Sequence, residues 1–328
     1  MGVAVGSARA EPGRRTTGVL EVGQTADGAP ISVPVIIVAG RTPGPTVWIQ
    51  AGVHGTELTG IVAVMELARG LDPAALAGTV VALPLANVTA FRRWHRFSDL
   101  DWMDINRVFP GRGDGSFSER TAKVLGDAVL AQANCFVDVH NASDPRLCAL
   151  QVIYREGAGA ASTASKRLAM SVGWEAVWGS TDAVLVRSLL GVATARGVPS
   201  VIIEAGAGEP DAEYLPAIRD GLRNVLVAAG LLEGAVPRLP SYLLLDTWSN
   251  LYAGAGGLCR PTVAIGSVVE RGAPLVQILN LYGDVVEEIR APFGPAFVRT
   301  LIRPYHPAAT GQMVAALLEI KGREAYPE

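Results

Sequence analysis

The chain has 328 residues, with 28 basic against 31 acidic side chains and a formal net charge of −3. This balance produces no overall field that favours nucleic acid or an anionic membrane, so we expect neither as a partner. Hydrophobic residues make up 49% of the chain and charged residues 18%, the composition of a packed globular protein with room for one large domain and a smaller companion.

Cysteine usage and hydropathy bear on the cellular compartment. The three cysteines are too few and too widely spaced for a disulfide framework or a cysteine-based zinc site. The first eighteen residues lack an apolar stretch of signal-peptide length, and no run of about 18 apolar residues occurs. We therefore expect a cytoplasmic protein without a membrane anchor.

Predicted strands and helices alternate along the first two thirds of the chain. Short β-branched runs between Thr16 and Gln50 predict strands. The elements predicted after them are a helix over Glu57–Gly70, a strand over Gly78–Asn87, a helix over Ser118–Ala131, a strand over Cys135–His140, helices over Ala161–Ser171 and Ala183–Arg196, a strand over Ser200–Glu204 and a helix over Ala212–Ala229. Such alternation predicts an α/β fold, a mixed sheet covered by helices.

The character of the chain changes near Pro237. Beyond it, short β-type runs are separated by Gly and Pro, which predicts a small all-β domain over 238–328 behind a catalytic domain over 1–237. The spacing of Pro261, Gly266 and Gly272 resembles the barrel-sandwich halves of lipoyl and biotinyl carrier domains. No lysine precedes Lys321 in this region, so the resemblance concerns architecture alone.

Two polar residues follow the apolar strand that ends near Gln50. In an open α/β sheet, side chains just beyond the carboxyl end of a strand face the ligand crevice. His54 and Glu57 stand there, at the opening of a predicted helix, and their spacing of three lets one turn present an imidazole and a carboxylate to one metal ion. Alone, this pattern also fits a helix-capping Glu beside a surface His.

A second apolar strand, FVDVH, ends in His140. Catalytic zinc commonly takes two His and one Glu and leaves its fourth position to water, so His140 would complete a set with His54 and Glu57. Asp138 lies two residues earlier and therefore shares a strand face with His140. It could orient the imidazole, although a carboxylate facing a loop is the competing interpretation.

A third apolar run, SVIIE, ends in Glu204. A carboxylate at the end of a buried strand loses solvation of its charged form, which suits a proton acceptor unless the group is paired. Glu204 is therefore a candidate general base. The competing interpretation is a strand-end Glu exposed to water.

Residues 92–111, RRWHRFSDLDWMDINRVFPG, form a polar and aromatic stretch with too few apolar repeats for a helix. Asn106 and Arg107 are adjacent and could clamp a carboxylate, because arginine offers a planar fork and asparagine a neutral donor. Arg96 could polarise a scissile carbonyl and stabilise an oxyanion, with Arg92 and Arg93 as competitors for that role.

Four motifs now stand in order, HGTE at 54–57, DINRVFPG at 104–111, VDVH at 137–140 and IIEAG at 202–206. Together they resemble the succinylglutamate desuccinylase and aspartoacylase family, relatives of the zinc carboxypeptidases. The resemblance implies a carboxypeptidase-like fold, one zinc ion per chain on His54, Glu57 and His140, and Glu204 as the base. It further implies Asn106 with Arg107 as the substrate-carboxylate site and Asp104 as a support for the metal ligands.

The expected activity is hydrolysis of an amide bond in a small N-acylated amino acid or related amine, so the expected partner is a small molecule that carries a carboxylate. A metallocarboxypeptidase acting on short peptides is one alternative. A non-catalytic metal-binding scaffold is another. The sequence leaves the acyl group, the amine and a homo-oligomer open.

Overall fold

The computed structural model of the protein describes residues 2–143, 145–208 and 213–326. Its α-helices are α1 (Leu58–Gly70), α2 (Val88–Arg92), α3 (Phe117–Gln132), α4 (Ala160–Ser171), α5 (Leu189–Ala195) and α6 (Tyr214–Ala228). Its strands are β1 (Val3–Val5), β2 (Ala8–Ala10), β3 (Arg14–Gln24), β4 (Pro30–Ala39), β5 (Thr42–Ala51), β6 (Ala77–Leu83), β7 (Cys135–His140), β8 (Arg146–Arg155), β9 (Ala176–Ser180), β10 (Ser200–Gly206), β11 (Tyr242–Tyr252), β12 (Gly257–Pro261), β13 (Val268–Val269), β14 (Pro274–Leu279), β15 (Val285–Arg290), β16 (Ala296–Ile302), β17 (Pro307–Ala308) and β18 (Met313–Glu324).

One mixed sheet runs through the molecule. Its twelve strands follow the order β13, β16, β18, β11, β9, β8, β10, β7, β5, β6, β4 and β3. At its centre, β6, β5, β7 and β10 run parallel, and β8 pairs antiparallel with β10. The central strands are buried nearly throughout, as their β-branched and apolar sequences predict. The predicted mixed sheet covered by helices is confirmed.

Helices cover both faces of the sheet. On one face, α1, α4 and α6 pack their apolar sides into a core with the central strands. On the other, α3 and α5 pack against a second core that includes the fully buried Trp48 and Phe136. Because both faces of the central strands are covered, their carboxyl ends are the part of the sheet left open to a ligand.

The C-terminal segment contributes to two sheets. β11, β13, β16 and β18 extend the large sheet, whereas β12, β14, β15 and β17 form a separate four-stranded sheet. Between them lies a core formed by residues of 253–317 alone, among them Cys259, Leu275 and Val298. A separate small β domain over 238–328 stays a prediction, and four of its strands belong to the large sheet that the catalytic part also forms.

Helix boundaries follow local capping chemistry. The single helix predicted over Ala183–Arg196 is wrong: a 3-10 helix over Ala183–Arg187 precedes α5, and Ser188 separates them. Ser188 is extended, and its hydroxyl accepts a hydrogen bond from the Gly191 amide, which starts a new helix. The predicted start of the last helix at Ala212 lies outside the described residues. No helix in the described part of the chain combines the length and apolar character that crossing a bilayer requires.

Candidate active site

Three neighbouring parallel strands bring the predicted residues together. β5 lies beside β7 with Gln50 opposite Asp138, and β7 lies beside β10 with His140 opposite Glu204. The loop after β5 carries His54 and leads into α1. Since the carboxyl ends of parallel strands meet at one edge of a sheet, three motifs separated in sequence converge there.

The two histidines face each other across one carboxylate. Glu57 Oε1 lies 2.7 Å from His54 Nδ1, and Glu57 Oε2 lies 2.9 Å from His140 Nδ1. All three residues are at most 5% exposed, and their ligand atoms lie within 4.8 Å of one another. The group therefore presents two imidazole nitrogens and a carboxylate to one point, as a metal site requires.

The second nitrogen of each ring lies against another carboxylate. His54 Nε2 is 3.2 Å from Asp104 Oδ1, and His140 Nε2 is 3.1 Å from Asp138 Oδ2. Asp138 is fully buried, which excludes a loop-facing carboxylate, and Gln50 donates a hydrogen bond to its other oxygen. Carboxylates placed in this way fix the tautomer and orientation of metal-binding imidazoles.

The electrostatics of this cluster suit a bound cation. Burial alone would raise the pKa of Glu57, but the charges and hydrogen bonds of His54 and His140 outweigh it and hold that pKa well below its ordinary value. Burial alone would lower the pKa of His140, but Asp138 and Glu57 raise it well above its usual range. The surrounding carboxylates thus stabilise positive charge between the rings, which is the charge a metal ion supplies.

Glu57 does not cap the helix that follows it. It occupies the position before α1, yet its side chain makes no capping hydrogen bond and instead contacts both histidines. Asn141 holds this arrangement in place: its amide oxygen accepts from the Gly60 amide, its amide nitrogen donates to the Ala205 carbonyl, and its backbone amide donates to Glu57. The sequence motifs do not include Asn141, although it directly follows His140 at the end of VDVH.

Arg96 lies at the edge of the metal cluster. Its guanidinium donates to Asp104 at 3.0 and 3.2 Å and approaches Glu57 Oε1 at 3.7 Å. Arg92 and Arg93 are exposed, and Arg93 donates to Asp99. Of the three arginines considered for stabilising an oxyanion, Arg96 therefore lines the site in the described structure.

Asn106 and Arg107 have different surroundings. Asn106 is buried, its amide nitrogen lies 3.5 Å from His140 Nε2, and its amide oxygen accepts from the Leu189 amide. Arg107 is half-buried, donates to the carbonyl of Asn106 and faces the cavity. Asn106 thus contacts the histidine and the start of α5, and both Asn106 and Arg107 line the cavity.

Glu204 has a partner that the sequence analysis did not identify. The Arg299 guanidinium, from β16, donates to Glu204 Oε2, and Gln151 Nε2 lies 3.4 Å from the same oxygen. Arg299 packs against two indole rings that contact each other edge-on, 5.5 Å from the Trp178 centroid and 4.7 Å from that of Trp248. Burial lowers the pKa of Arg299, but the Glu204 charge outweighs it and raises that pKa. The base candidate is therefore held by a buried cation from the C-terminal segment.

A cavity of about 350 Å³ joins these groups. The metal cluster, Glu204, Arg96 and Arg107 line it together with residues that no sequence motif indicated. These further residues include Arg146, Asp182 and, from the C-terminal strands, Trp248, Asn250, Arg299 and Met313. The C-terminal segment therefore supplies part of the cavity wall.

A buried cluster of metal-ligand type at the open edge of an α/β sheet, with a further carboxylate on the next strand, defines a hydrolase. Residues 43–228 match the family model described as the succinylglutamate desuccinylase/aspartoacylase catalytic domain. This match spans more than half of the chain, so the protein belongs to the succinylglutamate desuccinylase/aspartoacylase family. The family predicted from the four motifs is confirmed.

Similar proteins agree with this assignment. N-alpha-acetyl-L-2,4-diaminobutyric acid deacetylase from Halomonas elongata is 29% identical over 262 residues, which cover 76% of this chain and 75% of that protein. The product-bound structure of an ectoine utilization protein from Ruegeria pomeroyi superposes with a TM-score of 0.82 at 24% identity, over 95% of this chain and 98% of that one. The chain is thus an amidohydrolase of the deacylase type.

A metallocarboxypeptidase from Burkholderia cenocepacia shares part of the fold. Its TM-score is 0.51 at 15% identity, over 65% of this chain and 64% of that one. The predicted carboxypeptidase-like fold is therefore confirmed. The described residues also form additional strands at the C-terminus.

Proposed function

We propose that this protein hydrolyses the amide bond of a small N-acylated amino acid or related amine, with zinc held by His54, Glu57 and His140 and with Glu204 as general base. One observation carries the proposal. Glu204 stands opposite His140 on adjacent parallel strands, and both line one cavity with Glu57 and His54. A proton acceptor and a metal-ligand set thus face the same space.

The donor set favours zinc over harder cations. Two imidazoles and one carboxylate form a ligand set that catalytic zinc uses, whereas Mg²⁺ and Ca²⁺ prefer oxygen donors throughout. Bound there, zinc would supply Lewis acidity toward a carbonyl and would lower the pKa of a water molecule. Asp104 and Asp138 would hold the imidazoles through their second nitrogens.

The protein side chains have distinct tasks in this reaction. The Glu204 carboxylate would take a proton from the attacking water and deliver it to the leaving nitrogen. Arg299 and Gln151 keep its Oε2 oxygen in a fixed place. Arg96, beside Glu57, would stabilise negative charge on the carbonyl oxygen.

Of the two residues of the proposed carboxylate clamp, Arg107 is the one that carries a charge for the substrate carboxylate. Its half-buried guanidinium faces the cavity, and burial lowers its pKa while Asp104 counteracts this. Asn106 also lines the cavity and contacts His140 and the Leu189 amide, so it would hold the histidine and add a neutral donor to the clamp. The resulting substrate is an N-acyl amino acid held through its carboxylate.

Cavity size and the similar deacetylase both support a small substrate. A volume of about 350 Å³ suits an acyl amino acid better than a long peptide. The Halomonas relative is named for removing an acetyl group from a diamino acid. The segment 238–328, which supplies Trp248, Asn250 and Met313 to the wall, would act as a cap on the cleft.

The cysteines indicate the cellular compartment of the protein. All three are buried and free. Free thiols of this kind suit a reducing compartment, so we place the protein in the cytoplasm.

The direct test is release of free amine from a panel of N-acyl amino acids, with and without a chelator. Cleavage of at least one member that the chelator abolishes and zinc restores would support the proposal. Glu204→Gln should lower kcat by about 10²–10⁴-fold without loss of zinc. Preferential cleavage of a short unblocked peptide would favour a carboxypeptidase instead. Zinc binding without cleavage of any amide would favour a non-catalytic scaffold.

A further inference from the structure

One side of the cavity is apolar, and neighbouring strands build it in register. Ile202 on β10 lies opposite Ile153 on β8, and Ile153 lies opposite Trp178 on β9. Each of these residues is at most 4% exposed, and each lines the cavity. Because residues opposite each other on paired strands point to the same face of a sheet, the three side chains form one continuous surface.

This apolar surface adjoins Glu204. Ile202 precedes Glu204 by two positions on β10, so their side chains share a strand face. The rings of Trp178 and Trp248 meet edge-on, with their centroids 6.0 Å apart. The Arg299 guanidinium packs against both rings and pairs with Glu204. A substrate group next to the amide on which Glu204 is proposed to act would therefore reach this surface.

Two further side chains extend the surface. Val184 comes from the 3-10 helix after β9 and Met313 from the start of β18, and both line the cavity. We call the whole surface the apolar wall, and it consists of Ile153, Trp178, Val184, Ile202, Trp248 and Met313.

The apolar wall offers little to a polar ligand group. Its aliphatic side chains carry no hydrogen-bonding atoms, and the indole nitrogen of Trp248 already donates to Asn250 Oδ1 at 2.8 Å. Water beside such a surface is readily displaced, because an apolar group that replaces it removes apolar area from water without breaking protein hydrogen bonds. The wall thus favours an apolar ligand group.

We infer that the apolar wall binds an apolar group of the substrate, either on the acyl part or as the side chain of the amino acid. The inference rests on the proposed function and narrows its substrate class to N-acyl amino acids with such a group. The wall would select among substrates, whereas the metal cluster and Glu204 would act on the amide that all of them share.

A small set of substrates tests the inference and separates the two sources of the apolar group. N-acetylalanine has no large apolar group, N-acetylleucine has one on the amino acid, and N-hexanoylalanine has one on the acyl part. N-acetylasparagine resembles N-acetylleucine in shape but is polar. The wild type should cleave one of the two apolar substrates with a kcat/KM at least about 10-fold above that for N-acetylalanine, the effect of filling a hydrophobic pocket. N-acetylasparagine should show no such gain.

Variants of the wall should reduce this preference, which is the ratio of kcat/KM for the better apolar substrate to that for N-acetylalanine. Trp248→Ala should lower the ratio by about 10-fold. Val184 is 41% exposed, so Val184→Ser changes the wall with little effect on the core and should lower the ratio at least about twofold. Val184→Ser decides the matter if Trp248→Ala does not fold.

The control is Tyr282→Ala, which removes an aromatic ring that is 93% exposed and is not among the described residues lining the cavity. It should leave the ratio unchanged. An unchanged ratio in both wall variants, or a wild type that prefers N-acetylasparagine to both apolar substrates, would overturn the inference.

Binding of the product halves keeps the two proposals separate. Calorimetry on the wild type compares leucine with alanine and hexanoate with acetate. At least one apolar compound should bind more tightly than its shorter counterpart, with a negative heat-capacity change, and Trp248→Ala or Val184→Ser should reduce that gain. If the wild type cleaves no N-acyl amino acid, the proposed function fails, and these titrations still decide the role of the wall. Equal affinities within both pairs would contradict that role.

Discussion

Replacing Arg299 by Met tests whether the C-terminal segment holds Glu204, the proposed general base. In the native protein, Arg299 pairs with Glu204, and the two side chains are 9% and 16% exposed. Met keeps an unbranched apolar stem against Trp178 and Trp248 but removes the charge and its donors. The substitution therefore isolates the ion pair from the packing.

The structure sets the expected size of the effect. Breaking a buried ion pair by removing one partner costs about 3–5 kcal/mol. Because Glu204 faces the cavity, water can solvate the carboxylate left behind, and we expect a loss of about 2–3 kcal/mol in the free energy of unfolding. Adding Glu204→Gln removes the stranded charge, so the double variant should recover at least about 1 kcal/mol relative to Arg299→Met.

Urea unfolding, followed by far-ultraviolet circular dichroism, measures these free energies of unfolding. Tryptophan fluorescence is unsuitable as the probe, because the substitution lies beside two indoles and would change their emission directly. The control is Arg323→Met, which breaks the pair with Glu175 at a site where both side chains are about half exposed. It should cost less than about 1 kcal/mol. Arg299→Met should also lower kcat at least about 10-fold without loss of zinc. Wild-type stability in Arg299→Met, or strictly additive single and double variants, would refute the reasoning.

Three further predictions concern other parts of the site. Asn141→Ala should lower the free energy of unfolding by about 3 kcal/mol, because it leaves the buried Gly60 amide and Ala205 carbonyl without a hydrogen-bond partner, at about 1–3 kcal/mol each. A loss below about 1 kcal/mol in urea unfolding would be inconsistent with those bonds. Burial raises the pKa of Cys135 and Cys148 to about 12 and of Cys259 to about 11. At pH 8 the native protein should therefore show almost no reaction with a colorimetric thiol reagent, and three thiols per chain should react in denaturant; fast native labelling would contradict the burial. Zinc at 100 times its dissociation constant should stabilise the metal-free protein by about 2.7 kcal/mol, and His140→Ala should remove that gain in thermal unfolding.

Much of the site could be predicted because its parts stand at strand ends. His54, His140 and Glu204 each follow an apolar run, and parallel pairing of those runs places their ends together. The same geometry yields the mixed sheet covered by helices, since alternating strands and helices have few other ways to bury their apolar faces.

Arg299 and Arg146 could not be found in this way. Each faces the cavity because β16 pairs with β8, a contact that depends on long-range register and leaves no local signal. Asn106 shows the opposite limitation. Its residue type suits a substrate clamp, which stays a prediction, but its contacts with His140 and the Leu189 amide could not be read from the sequence.

Local chemistry could have corrected one predicted helix. Ser188 is a strong helix-starting residue, and a new helix does begin directly after it. The periodicity of the apolar residues on either side concealed this break, since two short helices can carry one continuous pattern.

The central claim is that the proposed metal is required for the proposed reaction. The test is to titrate metal-free protein with Zn²⁺ and to follow the release of amine from a cleaved N-acyl amino acid. We predict no activity before zinc is added, a linear rise, and a plateau at one zinc per chain, consistent with the single His54, Glu57 and His140 cluster in the described residues. Full activity in metal-free protein, or a plateau at two zinc ions per chain, would contradict the assignment.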